Sequence, residues 1–244
     1  MNVTITGPKI VFTIPVFGGI AITETILNSW LVVAAITVLC FILGRNLSVR
    51  NPSKRQIVAE KLVTMLYNLV DEIMGSHNRF FTPYIGALFA YSALCSLSGL
   101  LGLRAPTGDL NTTICFAVVA FVLIQFFNIK NKGFFGWLKS FTEPIFFMTP
   151  LNVIGEIANP ISMAFRHFGN IASGIVITTL IYGALAALSQ ILLGWIPVIG
   201  TIPLFQIGLP AVLSIYFDVF TSFLQAYIIS MLTMVYVGGA NEAQ

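Results

Sequence analysis

From Thr25 to Leu43 the chain runs without one formally charged side chain, and Tyr84 to Leu103, Asn111 to Ile129, Ile154 to Leu193 and Phe205 to Val237 repeat the pattern, interrupted only by Glu156, Arg166 and Asp218. About 20 such residues, wound as an α-helix, cross the ~30 Å hydrocarbon core of a bilayer. In that core each backbone N–H and C=O must find its partner within the protein, so an apolar run of this length is helical. The expected fold is an all-α polytopic membrane protein forming one integral membrane domain over residues 1–244. It has about five transmembrane helices, the last two long and tilted, plus one interfacial amphipathic helix. Composition agrees: 9% of residues are charged, against about a quarter in soluble proteins. Cys40, Cys95 and Cys115 lie in apolar runs at spacings that suit neither a disulfide framework nor a metal site, and a net charge of +3 is too small to suggest nucleic acid.

The order of the runs sets a topology. Only Lys9 precedes the first run as a basic residue, and the run begins too late for a cleaved signal. Arg45, Arg50, Lys54, Arg55 and Lys61 follow it, marking the cytoplasmic side, so residues 1–24 and the N-terminus are expected outside. Between Gln56 and Met74, Glu60, Thr64, Asn68, Asp71 and Glu72 recur at helical period opposite Ile57, Leu62, Leu66, Leu69 and Ile73. That two-faced pattern predicts a helix lying in the interface rather than crossing it. Residues 84–129 then read as a helical hairpin turning at Arg104 to Asp109 and returning to Lys130, Lys132 and Lys139, again a basic and cytoplasmic loop. Residues 154–237 supply the two long helices, joined by an outside loop with Gly194, Pro197, Gly200, Pro203 and no Lys or Arg; the C-terminus is then cytoplasmic. Their excess length over a perpendicular span is absorbed by tilt, kinks or extension.

An ionisable side chain inside the membrane is a functional candidate by default. Glu156, Asn159, Arg166, Asn170 and Ser173 fall on one face of the first long helix, and Ser214, Asp218, Ser222 and Gln225 on one face of the second. Polar stripes in lipid must face each other, a watery cavity or a partner protein. Arg166 is the most demanding, since an arginine at a helix centre costs about 3 kcal/mol on insertion scales. It keeps its proton and offers only donors, so it acts as a fixed charge, a clamp for a carboxylate, or half of an ion pair. The bland reading pairs it with Asp218. The sharper one leaves it for a carboxylate on another subunit. His167, about 100° around the helix from Arg166, reads as a packed or interfacial histidine, His77 as a solvated one, and Asp109 as a cap for the helix after it.

The segment Asn159 to Asn170, Asn-Pro-Ile-Ser-Met-Ala-Phe-Arg-His-Phe-Gly-Asn, resembles the signature of subunit a of the F-type ATP synthase. Leu224-Gln225-Ala226-Tyr227 through Leu232-Thr233-Met234-Val235-Tyr236 resembles that family's C-terminal helix, and Pro106-Thr107 with Asp109-Leu110-Asn111 the opening of its fourth. The resemblance implies an ion-translocating subunit beside a rotating ring of c subunits. Arg166 would be the essential arginine, facing each passing ring carboxylate. Two aqueous half-channels would deliver and remove H⁺ or Na⁺, with Gln225 near the arginine, Asn170 and Glu156 lining the channels, and Asp218 working alone or with Glu156. Partners implied are the c-ring, the b subunits of the peripheral stalk and, indirectly, the F1 sector. No cofactor is implied, no chemistry on nucleotide, and the expected location is a bacterial plasma membrane. The chain departs from the family pattern at Ile175, where an ionisable residue is common, at Asp218, where His or Glu is common, and at His167, where Leu is usual.

Other classes fit less well. A secondary transporter would also hold charges near the midplane, but no repeat symmetry is visible. A non-transporting scaffold would tolerate an apolar residue in place of Arg166. A membrane enzyme would need a nucleophile–base pair, a metal cluster or a phosphate loop, and the pattern offers none.

Overall fold

The computed structural model describes residues 8–15, 19–50, 52–142, 146–193 and 215–242. The helices are α1 (Glu24–Gly44), α2 (Lys54–Met74), α3 (Thr82–Leu97), α4 (Leu110–Ser140), α5 (Thr149–Leu193) and α6 (Thr221–Glu242). Five helical segments are long and apolar enough to cross a membrane: Glu24–Gly44, Ser76–Leu101, Leu110–Ser140, Phe146–Leu192 and Asp218–Asn241. The helix α2 is not among them, and Ser53 caps it, its hydroxyl accepting from the Gln56 N–H at 3.3 Å. At 45 residues, α5 is roughly 68 Å long at 1.5 Å per residue, about twice a hydrocarbon core. The expected loop at 194–204 and the start of the last apolar run at 205–214 lie outside the described residues.

Two features were not foreseen. A two-stranded antiparallel hairpin, β1 (Ile10–Ile14) with β2 (Ile20–Thr23), precedes α1. Immediately before α6, Ile215–Phe220 form a π-helical turn that contains Asp218, with the Thr221 hydroxyl reaching back to the Tyr216 carbonyl at 3.0 Å.

Lipid tails are as apolar as leucine, so helix association in a membrane relies on close van der Waals fit and buried hydrogen bonds. Small side chains accordingly fill the contacts: Ala93 on α3, Ala117 and Ala120 on α4, Ala164 on α5 and Ala226 on α6 are all buried. Large apolar side chains such as Leu39, Phe41, Val122, Ile154 and Leu180 are exposed. The helix α6 is central, packing against α2, α3, α4 and α5. The main core joins Val70 and Met74 of α2, Ile85 of α3, Phe127 of α4 and Met234, Val237 and Ala240 of α6. Gly238 permits that fit, because a Cβ there would meet Met74 Cγ at 3.3 Å.

Polar residues pin both ends of the bundle. At the end bearing Lys130 and Lys132, Asn131 Nδ2 donates to the carbonyls of Ala240 and Asn241 at 3.0 and 3.1 Å. Asn241 in turn donates to the side chain of the buried Asn78, which donates to the Met74 carbonyl at 2.6 Å. Helix ends leave carbonyls without helical donors, and these amides serve those of α6 and α2. At the opposite end Asp109 caps α4, accepting from the Asn111 N–H at 3.2 Å, and also accepts from the Thr25 hydroxyl at 3.1 Å. The capping role read from the sequence is therefore correct.

Candidate ion pathway

Arg166 lies on an exposed face of α5. Among the described residues it forms no salt bridge, the one such bridge being Arg79 with Asp71. The bland reading thus finds no support, since Arg166 and Asp218 are not paired. Asp218, half-buried in the π turn, makes no ion pair among the described residues either.

One turn beyond Arg166, Asn170 Nδ2 donates to Gln225 Oε1 at 2.7 Å, joining α5 to α6. Gln225 is 1% exposed while Asn170 is exposed, so the acceptor of this interhelical bond is buried and its donor faces outward. The two stripes therefore do meet, through Asn170 and Gln225. Ser173 is exposed, its hydroxyl bonded to the Asn170 carbonyl at 3.2 Å. Ser222 is buried and donates back to the Asp218 carbonyl, so its hydroxyl proton is engaged within its own helix. Ser214 lies outside the described residues.

Glu156 and Asn159 stand apart from this group. Both line a cavity of about 610 Å³ between α4, α5 and α6, at the end of the bundle bearing Lys132. Pro160, also in the lining, sits inside α5. Having no N–H, it leaves the Glu156 carbonyl without its helical donor and adds an acceptor to this region. Glu156 Oε1 accepts from Gln125 Nε2 at 2.7 Å, and Gln125 Oε1 accepts from the Trp137 indole N–H at 2.8 Å. Sequence reasoning missed Gln125 and Trp137, and read Lys132 as a topology marker rather than as part of a cavity lining. Gln125 could have been found, as an amide that, with Asn128, follows the apolar stretch Ile114 to Ile124.

His167 is fully buried, its ring edge-to-face with Phe116 at 6.0 Å, and neither ring nitrogen has a partner among the described residues. It is a packed histidine, as its place on the helix suggested. His77 is exposed and paired with Asn78 at 2.9 Å. Ile175 packs on the outer turn, where a Cβ on Gly108 would meet Ile171 at 3.5 Å and Ile175 at 3.6 Å. No group of His, Cys, Asp and Glu among the described residues could hold a metal ion.

Comparison with known proteins places this arrangement. The family model described as ATP synthase A chain matches residues 26–238. The ATP synthase subunit a 2 of Bradyrhizobium sp. (strain BTAi1) is 32% identical over 224 residues, covering 91% of each chain. The ATP synthase subunit a of Moorella thermoacetica is 34% identical over 68% of this chain and 76% of its own. The sodium ion specific subunit a of Propionigenium modestum is 28% identical over 96% of this chain and 85% of its own. A match that spans nearly every described helix makes this multi-pass membrane protein a member of the ATP synthase A chain family, the a subunits of the Fo sector.

Proposed function

We propose that this subunit carries the coupling ion to and from the carboxylates of a rotating c-ring, with Arg166 as the electrostatic gate between two half-channels. The observation that carries the reading is that Arg166 is exposed on a membrane-length helix and has no ion-pair partner among the described residues. A charge so placed is too costly to leave facing lipid, and a carboxylate on a neighbouring subunit answers it. The fixed guanidinium attracts each ring carboxylate once it has lost its ion and repels a passing H⁺ or Na⁺. Each charge crossing 100 mV is worth about 2.3 kcal/mol, so a leak past Arg166 dissipates the gradient.

In this account the 610 Å³ cavity at Glu156 and Asn159 is the access route on the basic, cytoplasmic side. The Asn170–Gln225 bond holds α6 against α5 one turn from the gate, and Asp218 and Ser173 belong to the route from outside. The N-terminus is outside and the C-terminus cytoplasmic. The exposed Ile57, Val58 and Leu62 of α2 rest on the lipid surface. The b subunits of a peripheral stalk hold the subunit still, and nucleotide chemistry belongs to the F1 sector. The coupling ion is H⁺ or Na⁺, and the carboxylate site on the ring decides which.

Site-directed cross-linking tests the facing partner. A cysteine in place of Ile177, exposed on the Arg166 side of α5, is expected to form a disulfide with one on the carboxylate-bearing ring helix. A cysteine in place of Leu39, on the lipid-exposed surface of α1, is not. Cross-linking from α1 alone refutes the assignment.

A further inference from the structure

We infer that Gln125 is a positioning residue for the Glu156 carboxylate, and that the Trp137 indole, on an arm that Gly133 bends back beside the cavity, fixes its orientation. The inference rests on the proposed ion-path reading of Glu156.

Residues twelve apart on a straight helix are about 18 Å apart along its axis, yet Trp137 Nε1 is 2.8 Å from Gln125 Oε1. The bend at Gly133 makes this possible. Gly133 has φ 69° and ψ 161° inside α4, a conformation essentially reserved for glycine. Nothing lies within 4 Å of where its Cβ would be, so the requirement is in the backbone alone. Beyond the bend the arm carries Trp137 toward the cavity, while Phe135 and Leu138 stay exposed. Its far end is tied to α5, since Asn152 Nδ2 donates to the Phe141 carbonyl at 2.9 Å.

The polarity of the chain of bonds gives it meaning. An indole N–H can only donate, whereas a Gln amide offers an acceptor at one end and donors at the other. With Trp137 occupying the oxygen, Gln125 must turn its Nε2 to Glu156, and it meets Oε1 at 2.7 Å. The reverse amide orientation would set two donors face to face at Trp137 and two acceptors at Glu156. Trp137 therefore dictates that Glu156 meets a donor, which a carboxylate accepts. Among the described residues only Oε1 of Glu156 is so engaged, leaving Oε2 for an ion or water in the cavity.

The test uses membranes carrying the whole complex, with ATP-driven ion pumping measured across a range of cytoplasmic pH. Trp137→Phe keeps an aromatic ring beside Phe134 and Phe141, and removes the N–H together with the five-membered part of the indole. Trp137→Phe and Gln125→Leu are each expected to lower pumping on the order of fivefold, the worth of one hydrogen bond, and to shift its cytoplasmic pH profile. The double variant is expected to match Gln125→Leu, because Trp137 acts through Gln125. Gly133→Ala, which pulls the arm away, is expected to reproduce Trp137→Phe and decides the matter if that variant fails to assemble. Normal pumping and pH profile in these variants, with Glu156→Gln impaired, overturns the inference and leaves the ion-path reading intact. Single effects that multiply in the double variant overturn it as well. Normal pumping in Glu156→Gln removes the ion-path reading, and the inference falls with it.

Discussion

The bond between Asn170 and Gln225 makes a prediction in which stability and transport part company. It is 2.7 Å long, its acceptor is 1% exposed, and it joins the two helices of the proposed gate. In Asn170→Leu the Gln225 oxygen stays buried with no donor from α5, a penalty of about 1–3 kcal/mol in soluble proteins. Interhelical bonds in membranes average nearer 0.6 kcal/mol because the membrane-inserted reference state also finds partners. Since Gln225 is almost wholly desolvated, about 1 kcal/mol is expected, a change of roughly fivefold in an equilibrium constant. Gln225→Leu should cost a similar amount. Replacing both partners by apolar groups can be nearly neutral, so the double variant should recover most of the stability while pumping stays low. Thermal inactivation of the purified complex gives the first quantity, and ion uptake in reconstituted vesicles the second. A double variant destabilised by the sum of the single effects refutes the claim that the bond sets the cost. One that recovers pumping along with stability refutes the bond's role in transport.

Other predictions follow from single residues. Hydrogen bonds from the Arg79 guanidinium, at 2.8 and 3.0 Å from its Nε, hold the Asp71 carboxyl below its ordinary value of 3.8. Its folded pKa is depressed, so its contribution to stability is complete above the ordinary value and is lost as pH falls through the lowered one. Asp71→Asn should therefore lower thermal stability by a constant, small amount at neutral pH and by nothing in strong acid; a gap that widens on acidification contradicts the pairing. In a background without Cys40, Cys95 and Cys115, a water-soluble thiol reagent should label a cysteine at the exposed Ser173 faster than one at Ser222, which is 1% exposed, or at Ile181 among apolar neighbours. Equal protection at all three removes the half-channel near Ser173. Asp218→Asn is expected to slow ion flux and shift its pH dependence, because Asp218 is the acidic group on its polar stripe; unchanged flux at every pH counts against this.

The spanning helices were legible because lipid imposes one rule on every turn. The run Thr25 to Leu43 became Glu24–Gly44, and the two-faced pattern of Gln56 to Met74 became the helix Lys54–Met74, which is not among the spans. Periodicity also placed Arg166, Asn170 and Ser173 on one face. It could not show that Ser222 folds its hydroxyl back onto its own helix, or that Asp218 sits in a π turn, because both depend on local backbone geometry. The hairpin β1–β2 left a faint trace in the β-branched Ile10 to Ile14, too short to weigh against an otherwise helical chain. Least legible was the contact of Trp137 with Gln125. Sequence separation puts them three turns apart, and only the positive φ of Gly133 brings them together.

Arg166 carries the central claim, and membranes containing the whole complex with Arg166→Ala test it most directly. ATP-driven ion pumping and passive ion leak are measured together, with assembly checked on the same membranes. The account predicts that pumping is abolished while the complex remains assembled, and that leak through Fo rises once the fixed charge is gone. Normal pumping with a tight membrane would show that Arg166 is a structural charge, contradicting the gate.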